Sequence, residues 1–316
     1  MSRYILRRLL LVIPTLCIVS VIVFSLIRMI PGDVAVLMVE NYRYADDIPM
    51  LRHKLGLDKA LYEQYLTWVG KMLQGDFGES LWTKRSIVEE LRNRIPVSLE
   101  LGFLAIIMSL MIALPIGVYS ALRQDTRTDY AARSFAIAGL SIPGFWLATM
   151  IVVFPAMWFR WSVSLQYTPF SKDPLANLWQ LSIPALILGI ERSGSVMRMV
   201  RAMMLEVLRQ DYIRTAWSKG LRETVIVYRH ALKNAMIPVI TIIGLQIPFI
   251  IGGSVIMESI FALPGMGRFM IEVISQRDYP MLQAVNMVFA ALVVFTNLIV
   301  DITYAYLDPR IRLRQR

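Results

Sequence analysis

Cysteine and histidine are scarce in this sequence of 316 residues, which contains one cysteine, Cys17, and two histidines, His53 and His230. One cysteine cannot form an internal disulfide or a thiolate metal cluster. The phosphate-binding pattern Gly-x-x-x-x-Gly-Lys-Ser/Thr is absent as well. We therefore expect no bound metal or cofactor, and no ATP hydrolysis by this chain itself.

Charge is also limited, since 18% of the residues are charged and 56% are hydrophobic. Six stretches without Asp, Glu, Lys or Arg have about the length that crosses roughly 30 Å of hydrocarbon as a helix. These stretches cover residues 9–27, 101–122, 134–159, 174–190, 234–257 and 279–300. The fourth is the shortest and would extend past Glu191 if that carboxylate faces the protein interior. The fifth begins at residue 234 or only near Pro238.

Basic residues determine the predicted orientation. The formal net charge is +10, and the excess of Lys and Arg falls in alternate loops: the N-terminus, residues 123–133, residues 191–233 and the tail. By the positive-inside rule, both termini and the 199–234 loop are cytoplasmic. The predicted units are a first helix (1–30), an external cap (31–97), a core that contains the other spans (98–306) and a cytoplasmic tail (307–316).

Two loops have a pattern of their own. In the external cap, residues 47–55 and 61–73 have helical apolar spacing and glycines follow them, which predicts a small folded segment. In the cytoplasmic loop, apolar residues of 200–208 share one helical face opposite Arg198, Arg201 and Arg209. Gly220 then separates this pattern from a second one at 225–232. Such a helix pair rests on anionic lipid or docks into a groove of a soluble partner, and the pattern alone leaves both open.

Nine short motifs in order along the chain resemble a known family, the binding-protein-dependent permeases that import dipeptides, oligopeptides, glutathione or nickel. They are Ile-Leu-Arg-Arg-Leu-Leu (5–10), Pro-Gly-Asp (31–33), Leu-Gly-Leu-Asp (55–58), Gly-Asp-Phe-Gly-Glu-Ser (75–80), Asp-Tyr-Ile-Arg-Thr-Ala-Trp-Ser-Lys-Gly-Leu (211–221), His-Ala-Leu-Lys-Asn-Ala-Met-Ile-Pro (230–238), Leu-Pro-Gly-Met-Gly-Arg (263–268), Arg-Asp-Tyr-Pro (277–280) and Asp-Pro-Arg-Ile-Arg (308–312).

This resemblance implies an all-α membrane protein with the type I ABC importer permease fold, in a bacterial inner membrane. It implies membrane lipid as the surroundings, no nucleic acid, and four kinds of partner: a second permease, two cytoplasmic ATPases that use ATP and Mg, and an external solute-binding protein. The external cap would help to receive that binding protein. Peptides are the implied cargo, with nickel, glutathione or another small solute as alternatives.

The resemblance also implies that residues 211–221 contact the ATPases. Arg214, Thr215 and Ala216 stand where this family commonly has Glu-Ala-Ala ahead of a glycine, so a salt bridge from that glutamate is not expected. The residues assigned to the ATPase-coupling loop are Tyr212, Ile213, Arg214, Thr215, Ala216, Trp217, Lys219, Gly220 and Leu221.

Two other classes of function fit less well. An ion-coupled carrier usually buries charged groups near the membrane midplane, whereas the ionisable residues nearest membrane depth are all expected within reach of an interface. These residues are Arg28, Glu100, Glu191, Glu258 and Asp301. A membrane enzyme needs a catalytic set, and the predicted topology puts His53 and His230 on opposite sides of the membrane.

Overall fold

A computed structural model describes residues 2–29, 53, 56–160, 162 and 166–307; the side chains of 2–4, 248–253 and 304–307 are not included. The predicted helix at 47–55 and the motifs at 31–33 and 308–312 therefore lie outside the described residues, wholly or in large part. The described chain is helical apart from turns and one isolated bridge between Glu79 and Ser86. This confirms the all-α prediction for that part of the chain.

The helices follow one another with short connections. They are α1 (Ser2–Met29), α2 (Leu61–Leu73), α3 (Ile87–Leu122), α4 (Arg127–Ser141), α5 (Gly144–Phe159), α6 (Pro174–Leu208), α7 (Asp211–Ser218), α8 (Glu223–Val225), a π-helical turn (Ile226–Leu232), α9 (Lys233–Ile260), α10 (Met266–Gln276) and α11 (Tyr279–Leu307). Within the described ranges, four helical segments are long and apolar enough to cross a membrane: Ile5–Met29, Ile87–Leu122, Glu223–Ile247 and Tyr279–Thr303.

The predicted span at 134–159 is not one continuous helix, because α4 and α5 meet at a bend of 85°. Pro143 causes the break. Proline lacks a backbone N–H and disfavours the helical conformation of the residue before it, and Ile142 is extended, with φ −85° and ψ 118°. If this bent pair counts as one span, the number of candidate spans in the described chain rises to five.

Helix α6 is one continuous helix of 35 residues that passes through Glu191. Asp173 caps its start by accepting hydrogen bonds from the N–H groups of Leu175 and Ala176, both at 3.0 Å. The amphipathic pattern at 200–208 is the last part of this helix rather than a separate element. Similarly, α8, the π-helical turn and α9 are continuous, so the helix that carries the fifth predicted span begins before 234 and Pro238. The helix can continue through Pro238 because, in a membrane protein, neighbouring groups can replace the backbone hydrogen bond that a proline removes.

Helices α3 and α6 run parallel to each other and form the centre of the fold. Small residues allow the close approach: a Cβ on Gly189 would lie 2.7 Å from Cβ of Met108, and one on Gly117 would lie 2.9 Å from Cβ of Val200. At one end of the pair, Asn177 donates to Glu100 at 3.2 Å. At the other end, Arg201 donates to Ser120 at 3.1 Å.

Helix α2 packs against the C-terminal third of α1. The hydroxyls of Ser20 and Tyr65 are 2.9 Å apart, and Nη2 of Arg28 donates to Oε1 of Gln64 at 2.9 Å. The ring of Phe24 meets that of Tyr65 edge to face, with centroids 5.3 Å apart. The helix predicted at 61–73 is thus confirmed, and it forms part of a folded segment.

The turn after α2 is held by the buried carboxylate of Asp278, which lies between α10 and α11. Its Oδ2 accepts hydrogen bonds from Oγ of Ser80 at 2.6 Å and from N of Leu81 at 3.1 Å. The indole of Trp82 donates to the carbonyl of Gln276 at 2.7 Å. The motifs at 75–80 and 277–280 therefore form one contact.

We expect Asp278→Ala to release this turn while the helices stay intact. Hydrogen bonds to a buried charged group contribute about 1.5–3 kcal/mol, so the open form of the turn should become roughly tenfold or more populated. Limited trypsin digestion at Lys84 and Arg85 of the membrane-embedded protein measures this change. Asp76→Ala, which removes a local contact to N of Gly78 at 2.9 Å, is the matched control, and equal cleavage of the two variants would contradict the anchoring role.

Candidate functional site

The 211–221 segment has the predicted helix and glycine corner, and the second helix follows from Glu223. Helix α7 ends in a turn where N of Gly220 donates to the carbonyl of Trp217 at 2.9 Å. Gly220 has φ +72°, a left-handed conformation that glycine adopts at low cost. No other atom lies within 4 Å of where its Cβ would be, so a side chain there would be opposed by backbone strain and not by a clash.

The two faces of α7 differ in burial. Ile213 and Ala216 are buried in an apolar cluster with residues of α6 and of the π-helical turn, including Met204 and Ile226. These two side chains pack inside the subunit itself and leave little side-chain surface for a partner, and their predicted place in the ATPase contact stays a prediction. The remaining predicted residues are exposed. They are Tyr212, Arg214, Thr215, Trp217, Lys219, Gly220 and Leu221.

Burial of Ala216 changes what can be learned from its substitution. An aspartate at this position would disrupt the apolar cluster inside the subunit whether or not a partner docks on α7. Trp217 is the better probe, because 49% of it is exposed. Tyr212 is exposed as well, but its hydroxyl accepts a hydrogen bond from Nδ2 of Asn234 at 2.8 Å, which ties it to α9.

A buried ion pair lies on the last part of α6, before this segment. Asp129, at the beginning of α4, accepts two hydrogen bonds from Arg201 of α6: Nη2 to Oδ2 at 2.7 Å and Nε to Oδ1 at 2.8 Å. Ser120 of α3 and N of Asp125 also donate to this carboxylate, and Arg133 lies 3.3 Å from it. Arg201 was predicted on the polar face of an amphipathic helix, and instead it joins three helices in the interior.

A second buried carboxylate organises the opposite end of the fold. Glu258 of α9 accepts from Oγ of Ser98 at 2.6 Å, from Oγ of Ser254 at 2.8 Å and from N of Arg268 at 2.9 Å. Gly265 lies so close that a Cβ there would overlap the carboxylate. The motif at 263–268 is thus wrapped around one acidic side chain.

The sequence reasoning missed the roles of Asp129, Glu258 and Asp278. A signal existed for Glu258, because a Gly-x-Gly pattern seven residues after an acidic residue at the end of an apolar run indicates close backbone approach. No comparable local signal points from Asp129 to Arg201, which is 72 residues further along the chain.

A metal-binding arrangement is not found among the described residues. No group of three or more His, Cys, Asp and Glu side chains there is arranged to hold a metal ion. His53 pairs with Asp58 at 2.7 Å, and this hydrogen bond lowers the pKa of the exposed Asp58 carboxyl. In the loop before α6, burial and then the hydrogen bond to Glu100 raise the pKa of Tyr167. Both interactions are local and structural.

We expect Asp129→Asn to lower the stability of the protein markedly. Removing one partner of a buried ion pair leaves the other charge uncompensated, at a cost of about 3–5 kcal/mol. The midpoint of thermal unfolding in detergent measures the loss. Arg133→Gln is the control, because its contact is longer and more exposed, and a drop as large as that of Asp129→Asn would contradict the central role of the Arg201 pair.

Comparisons with known proteins agree with this fold. The family model described as "Binding-protein-dependent transport system inner membrane component" matches residues 113–313, and the model for the N-terminal part of such membrane components matches residues 1–102. Among solved structures, the inward-facing MetNI methionine ABC transporter has a chain that aligns with a TM-score of 0.55 at 16% identity, covering 69% of this chain and 96% of that one. This likeness concerns the fold alone.

Curated relatives match over nearly the whole chain. The oligopeptide transport system permease protein AppB of Bacillus subtilis is 40% identical over 98% of this chain and 99% of its own length. The di/tripeptide permease DppB of Pseudomonas aeruginosa is 39% identical, over 99% of both. The glutathione permease GsiC of Escherichia coli is 37% identical, over 99% of this chain and 100% of its own. This chain, a multi-pass membrane protein and a transport subunit rather than an enzyme, therefore belongs to the family of binding-protein-dependent transport system inner membrane components.

Proposed function

We propose that the chain is one of two permease subunits that together form the pathway for peptides in an ATP-driven importer of the bacterial inner membrane. The observation that carries the proposal is the form of the 211–221 segment in a chain of this family. A short helix is fixed on one face by Ile213 and Ala216 and offers Trp217 on the other. Aromatic side chains on a rigid base are typical of the centres of protein interfaces.

The proposed topology has six spans with both termini in the cytoplasm. The bent pair of α4 and α5 counts as one span, and the first part of α6 as another. Two observations support the assignment of α6 as a span. It runs parallel to α3, which is one of the four apolar spans. The loop between α3 and α4 and the segment after α6 are both rich in Arg and Lys, as expected for segments on the cytoplasmic side. On this arrangement, α7 lies in the cytoplasm and α2 and α10 lie outside.

The segment supports a mechanical role. Because α7 packs on the end of α6 and on the π-helical turn, a docked ATPase that moves α7 also moves these two elements as packed bodies. The bidentate contact between Asp129 and Arg201 connects the same end of α6 to α3 and α4. When the two ATPases bind ATP and Mg and move, they would thus displace the membrane spans through α7, which would move as a rigid helix.

Peptides are the proposed cargo, since the relatives named above include permeases for oligopeptides and for di- and tripeptides. Glutathione is the second candidate because the relative GsiC is nearly as similar. Purification of the assembled importer with its solute-binding protein, followed by mass spectrometry of the retained solute, distinguishes these two. The anchored turn at Asp278, on the outer side, belongs to the cap that we propose receives the binding protein.

We expect Trp217→Ala to weaken the binding of the ATPases. Loss of a central interface tryptophan commonly costs 2 kcal/mol or more, which is about a 30-fold change in affinity. Copurified ATPase activity and solute uptake measure the effect at equal abundance of the permease in the membrane. Trp179→Ala, at an exposed tryptophan near the proposed outer end of α6, is the control and should change neither.

Normal ATPase retention by the Trp217 variant would refute the docking surface, and absence of any copurifying ATPase from the wild type would favour an ion-coupled carrier.

The topology is tested with cysteines at Lys59 and Lys219, both exposed, in a chain whose Cys17 has been replaced by serine. A membrane-impermeant thiol reagent added to intact cells should label Lys59→Cys and should reach Lys219→Cys only after the membrane is opened. Labelling of both positions from one side would exclude the six-span arrangement.

A further inference from the structure

Two charged residues, Glu191 and Arg192, lie in the middle of α6. Glu191 follows Asn177 by about 14 residues, roughly 21 Å along the helix, and precedes Arg201 by about 10 residues, roughly 15 Å. Asn177 and Arg201 belong to the polar contacts at the two ends of the parallel pair of α3 and α6. With the proposed topology, Glu191 would lie well inside the hydrocarbon layer rather than within reach of an interface.

The two charges are only loosely paired. Nη2 of Arg192 is 4.0 Å from Oε1 of Glu191, and the side chains are 25% and 35% exposed. Nε of Arg192 is buried and has no hydrogen-bond partner among the described residues. These features differ from those of Glu258, which is fully enclosed and accepts three hydrogen bonds. Glu191 thus retains capacity to bind another donor.

The exposed face of α6 stays polar from Glu191 towards the cytoplasmic end. Ser195 and Arg198 follow Glu191 at helical spacing on the same face, and Nε2 of Gln246 in α9 donates to Oγ of Ser195 at 2.9 Å. We call Glu191, Arg192, Ser195 and Arg198 the polar stripe. In the first half of α6 the exposed residues are largely apolar and lie on the other side of the helix, as Leu186 does.

The break between α4 and α5 occurs at the same level. Oε2 of Glu191 lies 2.5 Å from the position of a Cβ on Gly144, the first residue of α5. Any side chain at 144 would displace the carboxylate. The chain is therefore shaped around Glu191 while leaving it accessible from one side.

A charged stripe at this depth is costly to expose to lipid, because ionised side chains in membranes face the protein interior or a water-filled cavity. We propose that the polar stripe lines the solute pathway, and that the carboxylate of Glu191 binds the ammonium group of a peptide in transit. This inference rests on the proposed function. Arg192 lies beside Glu191, and its guanidinium group can donate hydrogen bonds to the carboxylate or a carbonyl group of the same peptide.

The first test is whether water reaches the stripe in the assembled importer. In the Cys17→Ser background, Ser195→Cys and Arg198→Cys should react with a water-soluble thiol reagent at least roughly tenfold faster than Leu186→Cys, since only the hydrated thiolate reacts readily. Two stripe positions are used so that a local defect in one variant cannot by itself explain the result. Equal or slower labelling of both stripe positions would overturn the pathway assignment. ATP-driven uptake by the same preparation reports on the proposed function independently.

The second test concerns the ligand. Millimolar dialanine should slow the labelling of Ser195→Cys in the nucleotide-free importer, and N-acetyl-dialanine, which lacks the ammonium group, should not. Glu191→Gln should abolish the protection, whereas Glu206→Gln, a glutamate closer to the end of the same helix, should preserve it. Absence of protection by dialanine, equal protection by both compounds, or protection that persists in Glu191→Gln would each overturn the role of Glu191.

Discussion

Three carboxylates removed from water hold the irregular parts of this protein onto its helices. A buried charge must receive hydrogen bonds from the protein, because water is not available to solvate it. Glu258 meets this requirement with the 263–268 turn, Asp278 with the turn after α2, and Asp129 with the start of α4 and with Arg201 of α6. Helices bury apolar faces and can slide, whereas these contacts are directional. They therefore fix the connections and, through them, the relative positions of the helices.

The helices themselves follow from the sequence, since long uncharged stretches and 3.6-residue periodicity are local signals. This is why 61–73, the start of α11 and the helix–glycine–helix form of 211–232 were predicted correctly. The carboxylate contacts could not be predicted in this way, because their partners are distant in sequence. Ser98 and Glu258 are 160 residues apart, and Ser80 and Asp278 are 198 apart.

Hydropathy and helical periodicity also could not predict where helices break or continue, or which faces are buried, because these features depend on the rest of the fold. Hydropathy measures the absence of charge and not the straightness of a helix, so it joined α4 and α5 across Pro143. It also left open whether the fourth span extends past Glu191, and the helix does continue there because neighbouring segments can accommodate a charge. Likewise, helical periodicity identified α7 as amphipathic but could not say that its apolar face, with Ile213 and Ala216, is already covered by the subunit itself.

The distribution of polar contacts along α3 and α6 suggests how one pair of helices serves both rigidity and transport. Hydrogen bonds connect the pair to neighbouring segments at both ends. One end has Glu100, Asn177 and Tyr167. The other end has Ser120, Asp129 and Arg201. Between them the helices meet through small residues such as Gly189, which transmit displacement because close packing leaves no room for deformation. The loosely paired charges of Glu191 and Arg192 lie in this middle part. Movement delivered at the end near α7 would therefore shift the stripe as part of a rigid helix, and access to it would change without any change in its own geometry.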